Sequence, residues 1–595
     1  MKMSVDHVGW AILMGLAVPG MFAQTSVENR RAQLKAAIDE EWAYQLQVSP
    51  ELATQAGDNR YNDRLTDYSE KSFADQVAHA EQMLHRMEAI DTAGFPEQEE
   101  LNKVLMVRTL GDSVAWAKFK DWEMPVTQFG GIHLDYASLA SEVPLATVKD
   151  YENYLSRLRQ LPRVFDQVTA NMRAGMADHL MPPRYLLEKV TLQAQSIADD
   201  SLEASPFTQP VLKFPSTILE NDQKRLREMI FAAVKNEVAP AYAKFAAFVR
   251  GEYAPKGRTE LGVWALPDGG ARYRLDIHSM TTTEMDPEAI HQLGLKTVAQ
   301  IDHDMLVLAQ QQGFSDLKSF NQHIRQDAQL YGKSGQQIFD LYQHYTDQMY
   351  AKLPQLFGKL PQNKLAVVPM ETYRSPDAVP ADYSLGAGDG SRPGRINVNE
   401  YNPQGRLLLN VEAIAYHEGV PGHHLQFSIM QELSDLPPFR KFGVHYNAYT
   451  EGWAFYSERL GKDVGFYQDP YSEYGRLENE MWRAVRLVVD TGVHYKHWTR
   501  EQMLDYFRQH TAMDEPNMQT EVDRYIAWPA QALSYQLGKM KILELRERAR
   551  NELGEKFDIR AFHDAVLDEG ALPLDLLEKK MNDWIDSQKA ALQRP

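Results

Sequence analysis

The sequence predicts a mainly helical protein with one small β-sheet set beside a helix that delivers a histidine–glutamate pair. Three observations carry this expectation. From residue 28 onward, apolar residues recur at three and four positions between charged ones, the spacing of helices with one buried face. Only 364–370 and 395–399 read as short strands, with the turn-rich 387–394 at the end of their connection. The apolar run 407–416 has helical spacing and leads directly into His417 and Glu418.

Taken in chain order, residues 1–23 come first: Lys2, an uncharged apolar stretch over 8–22, then the polar Gln24, Thr25 and Ser26. The stretch falls short of the roughly 20 residues a spanning helix needs, and Pro19 and Gly20 break it, so 1–23 reads as a cleaved export signal. The mature protein is then expected in the periplasm or outside the cell, not inserted in the membrane. Segments 148–176 and 221–248 are expected amphipathic helices. Near the C-terminus Pro573 opens a helix in which Leu577, Met581, Trp584 and Ile585 share one face. The 595 residues would allow several domains, but no repeat or low-complexity linker divides them. One continuous body is expected, with a soft boundary at 360 between a helical half, 24–360, and a half holding the chemistry, 361–595.

Composition narrows the chemistry. Lys and Arg number 63 against 82 Asp and Glu, a net charge of −19, and no local basic stretch reverses it. Such a surface repels a phosphate backbone, so nucleic acid is not an expected partner. The absence of cysteine excludes disulfides, thiolate metal sites, a cysteine nucleophile and a lipid-modified cysteine. A bound metal must be held by His, Asp or Glu.

The string after 416 is His417, Glu418, Gly419, Val420, Pro421, Gly422, His423, His424. An apolar helix presenting His-Glu is how zinc hydrolases are built: the His binds metal and the Glu faces a water. In HExxH the second His lies one turn on, and here Pro421 occupies that position. On an unbroken helix His423 would lie about 240° around from His417, and His424 about 10 Å along the axis, so neither could share an ion. A bulge or kink at Pro421-Gly422 removes the obstacle and favours His423, with His424 as the alternative. For a third ligand, Glu451 is the one acid in the apolar and aromatic segment 447–454, where an unpaired carboxylate would be costly. Glu458, seven positions on along the same face, is a further candidate, as ligand or as partner to an imidazole.

HEGVPGHHLQ followed by YTEGWAFYSE resembles an exported bacterial family, the domain of unknown function 885, thought to be distantly related to zincin metallopeptidases. Segments 262–269, 281–283, 389–394, 486–494 and 524–538 resemble that family too. The resemblance implies a zincin-like helical body with a deep cleft, and zinc-dependent peptide hydrolysis. The departure from plain HExxH bears on the second His.

The expected function is therefore hydrolysis of extracytoplasmic peptides with one zinc ion, Glu418 taking a proton from the attacking water. Isopeptide or amide conjugates are alternative substrates, and a non-catalytic metal- or peptide-binding protein is an alternative role. A diiron bundle fits poorly, because Glu412 precedes His417 by five positions rather than three. Tyr535, placed on a helix starting at Pro529, and His494 are candidate donors to a developing oxyanion. Arg486 and Arg524 could fix a substrate carboxylate, although Asp490, one turn from Arg486, offers an internal ion pair. Strand 395–399 could pair with an extended peptide through a free edge.

Overall fold

Thr147 caps the longest helix of the N-terminal half: its hydroxyl accepts from the Asp150 amide while the Asp150 carboxylate accepts from the Thr147 amide. The structure, a computed structural model, describes residues 26–592 apart from 371–374, 376–377, 387–389 and 391. The export signal assigned to 1–23 lies outside the described residues, as does part of the turn-rich 387–394. Among the described residues no helix is long and apolar enough to cross a membrane.

The helices that build the body include α1 (Val27–Val48), α2 (Glu70–Glu88), α3 (Glu97–Ala117), α4 (Val148–Ala177), α5 (Arg184–Asp199), α6 (Glu220–Ala233), α7 (Ala239–Phe248), α8 (Pro287–Gln311) and α9 (Gly335–Tyr350). After them come the strands β1 (Leu365–Pro369), β2 (Ala381–Ser384) and β3 (Gly394–Val398). Then follow α10 (Val411–Glu418), α11 (His423–Glu432), α12 (Asn447–Asp463), α13 (Pro470–His494), α14 (Glu515–Ala527), α15 (Ser534–Leu553) and α16 (Leu574–Leu592). The protein is mainly helical with a three-stranded sheet.

Helix α4 buries Leu155, Leu158, Leu161, Phe165, Val168 and Met172, the stripe its spacing predicts, against α6 and α7. The expected helix over 221–248 is two helices joined by a wide turn, Val234–Val238. Pro240, which has no amide hydrogen, sits just beyond that turn, and the looser winding accommodates it. Helix α16 buries Leu577, Met581 and Ile585 as its pattern predicts, with Trp584 partly buried. The largest apolar core joins α1, α2 and α3 to α10, α12, α15 and α16, so packing runs continuously across residue 360.

In the sheet β3 is central: β1 pairs with it in parallel and β2 antiparallel. This corrects two expectations. β2 is an unexpected strand, because Ala-Asp-Tyr-Ser carries no apolar run. Strand 395–399 has no free edge, since both sides of β3 are taken, and it cannot receive a peptide by strand addition. Ile396 and Val398 of β3 pack with Ile338 and Tyr342 of α9 and with Val411, Ile414 and Ala415 of α10, so the sheet braces the helix carrying the His-Glu pair.

Candidate metal centre

Helix α10 stops at Glu418 and a new helix starts at His423; the chain is broken and restarted rather than kinked. The Gly422 amide reaches back to Tyr416 O at 2.9 Å, and the His424 amide to Gly419 O at 3.1 Å. Gly422 is needed here, because a Cβ on it would stand 1.9 Å from His417 O. From α12, the Trp453 indole and the Ser457 hydroxyl both donate to Pro421 O, at 2.9 and 3.2 Å, and fix the corner.

The same helix brings Glu451. It can approach because Gly452 meets Gly538 of α15 without side chains: a Cβ on Gly452 would lie 2.5 Å from the Gly538 Cα. Glu451 Oε2 then stands 3.4 Å from His417 Nε2 and 3.4 Å from His423 Nε2. The two imidazole centres are 4.9 Å apart and perpendicular. One ligand atom from each of these three residues lies within 4.8 Å of the others, with His417 buried and the other two half-buried.

A carboxylate can only accept, so the 2.9 Å contact of His417 Nδ1 with Glu458 Oε1 places the proton on Nδ1 and turns the Nε2 lone pair toward Glu451 and His423. Burial pulls the His417 pKa down, but the neighbouring carboxylates of Glu451 and Glu458 outweigh it and the net shift is upward. Burial opposes the charge on Glu451, yet both imidazoles hold its carboxyl well below the ordinary range. Glu418 is pushed up to about 8 by burial, against the pull of His423 and aided by Glu451 and Asp382. That is the range of a group able to take up and release a proton.

His424 does not join the cluster. Its Nε2 donates to Asn363 O at 3.2 Å, its Nδ1 accepts from the Tyr383 hydroxyl at 3.2 Å, and burial lowers its pKa to about 4. It ties α11 to β2 and to the segment leading into β1. His494 is likewise committed to the backbone: Nδ1 accepts from the Val263 amide at 3.0 Å and Nε2 donates to Tyr525 O at 2.9 Å. Burial depresses its pKa to about 3, and with both nitrogens occupied it is a strap, not an oxyanion donor.

Tyr535 stacks at 6.3 Å on His417. Its helix starts at Ser534 after a single turn at Gln531–Leu533, not at Pro529, because Ala530 takes a left-handed φ of 63° that interrupts helical winding. The Tyr535 oxygen accepts from Arg524 Nη2 at 3.1 Å and Gln531 Nε2 at 3.4 Å, leaving its proton free to donate. Arg486 does not pair with Asp490, whose carboxylate takes the Tyr273 hydroxyl at 2.6 Å and the Ala530 amide. Its partners are Glu521 at 3.0 Å and the Tyr525 hydroxyl at 2.9 Å.

Sequence reasoning missed Arg483, whose Nη2 lies 3.4 Å from Glu458 Oε1, and Tyr383, whose ring lies 6.4 Å from that of His423. The four-residue spacing of Trp453 and Ser457 was a readable sign of one face turned toward the corner; nothing local signalled Arg483. A cavity of about 900 Å³ opens between α9, α13 and α14; Asn479, Trp482 and Glu521 are in its wall, while the three cluster residues are not.

Residues 50–581 match the family described as "Bacterial protein of unknown function (DUF885)", and the chain belongs to that family. It is similar to the crystal structure of a "putative lipoprotein" from Colwellia psychrerythraea, with 28% identity, a TM-score of 0.87, and coverage of 94% of this chain and 99% of that one. It also shares its fold with a "putative lipoprotein of unknown function" from Shewanella oneidensis, at 16% identity and TM-score 0.70, over 94% of this chain and 100% of that one. No curated protein matches the chain.

Proposed function

We propose that the chain is an exported metallopeptidase that cleaves peptide bonds with one zinc ion held by His417, His423 and Glu451. The observation that carries this reading is the pair of 3.4 Å separations around Glu451 Oε2. Ligands at about 2.1 Å from a tetrahedral ion stand about 3.4 Å from one another. The donor set, two imidazoles and a carboxylate with a carboxylate behind one imidazole, suits zinc, as does the likeness of the motif to zincins. Glu451 Oε2 is buried without a hydrogen-bond partner among the described residues, which is costly unless it has a cation to bind.

A divalent ion in this position supplies Lewis acidity and lowers the pKa of a water toward neutrality. The chain's own groups do the rest. Glu418 takes the water's proton and returns it to the leaving amine; an ion beside it would draw its pKa down from its raised value, toward the base form. Tyr535 offers its hydroxyl proton where negative charge develops on the carbonyl oxygen. Glu458 holds the His417 tautomer. Export is supported by the lipoprotein descriptions of the two structural relatives, although a lipid would need a cysteine and this sequence has none.

The test is digestion of a randomised peptide pool by the purified protein before and after chelation, and again after one equivalent of zinc is restored. Cleavage that disappears with the metal and returns with it is the expected result. Cleavage indifferent to chelation, or none at all with a full equivalent bound, overturns the reading.

A further inference from the structure

Three buried guanidinium groups converge on the tyrosine beside the metal cluster. Arg483 and Arg486 come from α13 and Arg524 from α14, with side chains 5%, 2% and 9% exposed. The guanidinium carbons of Arg483 and Arg486 lie 5.9 and 4.4 Å from the Tyr535 ring centre, and Arg524 donates to its hydroxyl. Their charge is not balanced locally. Glu458 answers Arg483 but is shared with His417, and Glu521 answers both Arg486 and Arg524. Three cations thus face two carboxylates. Elsewhere on α13 Arg476 has every nitrogen answered, Nε and Nη2 by Glu473 and Nη1 by Glu480.

Donors are left over as well. Arg483 Nε and Nη1, Arg486 Nη1 and Arg524 Nε are buried with no hydrogen-bond partner among the described residues. Stacking does not remove this deficit: Arg483 and Arg486 lie 4.3 and 4.4 Å from the Trp482 ring, which occupies the face of each fork, while the N–H groups project in its plane. The cavity wall includes Asn479, Trp482 and Glu521, which contact Glu458, both stacked arginines and Arg486 respectively. Space for a ligand therefore reaches the immediate partners of the unanswered donors.

We propose that Arg483, Arg486 and Arg524 form the binding site for a carboxylate of the substrate, so that the enzyme selects peptides or amides presenting a carboxylate close to the scissile bond. The word substrate rests on the hydrolase reading; carboxylate binding does not. Each Nη2 is already engaged, so the carboxylate would be held by single charge-assisted hydrogen bonds from more than one guanidinium, each roughly twice as strong as a neutral one.

The test uses metal-free full-length protein and two randomised acetyl-tetrapeptide pools, one with free C-terminal acids and one with carboxamides, read by equilibrium dialysis and mass spectrometry. Free acids should be retained at least about tenfold more tightly than amides. Enrichment of Asp- or Glu-containing members within the amide pool would place the carboxylate on a side chain instead of the terminus. Arg524→Gln and Arg486→Met should each lower retention by about tenfold or more, with Arg486→Lys recovering part of it. Should either variant fail to fold, the wild-type preference decides. Equal or absent retention of carboxylate-bearing and carboxylate-free peptides, or unchanged retention by variants that melt like wild type, overturns the proposal. Retention of acids without cleavage of either pool once zinc is restored would sink the hydrolase reading and leave the carboxylate site standing.

Discussion

Arg157 in the N-terminal half and Arg486 in the C-terminal half are each 1% exposed, yet they are built into their surroundings differently. Arg157 spends its fork on the chain itself, donating Nε to Arg64 O at 2.8 Å and Nη2 to Pro50 O at 3.0 Å and the Thr54 hydroxyl at 2.7 Å. It joins α4 to the segment after α1. Arg486 keeps an Nη1 that nothing answers. The histidines divide in the same way. His424, His494 and His563 give ring nitrogens to backbone carbonyls and are held neutral by burial, whereas His417 and His423 face a carboxylate. Single buried polar atoms go unanswered elsewhere among the described residues too, Tyr253 and Arg546 Nε among them; what sets the region around Tyr535 apart is that unanswered N–H groups from three guanidiniums gather beside the His417, His423 and Glu451 cluster.

If that distinction holds, the two regions respond to different experiments. Glu418→Gln should reduce hydrolysis by about 10²- to 10⁴-fold while the metal content stays at one equivalent; steady-state rates beside elemental analysis check it, and undiminished turnover would remove Glu418 from the chemistry. Arg157→Met should cost about 3 kcal/mol of stability, read by denaturant unfolding, with metal content untouched; a change in metal affinity would blur the comparison. Glu458→Gln should weaken metal affinity by about 10- to 100-fold, measured by competition with a chromophoric chelator.

Stability should also depend on pH. His494 and His563 are depressed to about 3 and His424 to about 4, against 6.5 for a free imidazole. Between pH 6.5 and 4 the unfolded chain therefore binds protons that the folded chain refuses. Stability from these groups is fully present above 6.5 and falls with acidification, each contributing up to about 1.4 kcal/mol per pH unit. Unfolding midpoints measured across that window should shift accordingly, and His494→Asn should flatten the slope.

Much of this was legible in the sequence, and the failures have physical causes. Periodicity located α4 and α16 because each buries one face, and the apolar run before His417 marked the helix that the sheet braces. Glu451 stood out as a lone acid in an aromatic segment. Helical geometry showed that neither His423 nor His424 could join His417 unless the chain deviated, but the form of the deviation, a full stop and restart, depends on the Gly422 contact and on Trp453 from a distant helix. The partner of Arg486 could not be read from spacing: Asp490 is one turn away, while Glu521 is brought by the fold of another helix. β2 escaped because its pairing with β3, not its own composition, makes it a strand.

The most direct measurement is the metal content of wild-type protein against His423→Ala, both dialysed in trace zinc and read by inductively coupled plasma mass spectrometry. Wild type should retain close to one ion per chain and the variant almost none, with both melting cooperatively when metal-free. No retained ion in wild type, or an equal amount in the variant, would contradict the assignment of His417, His423 and Glu451 as a metal centre.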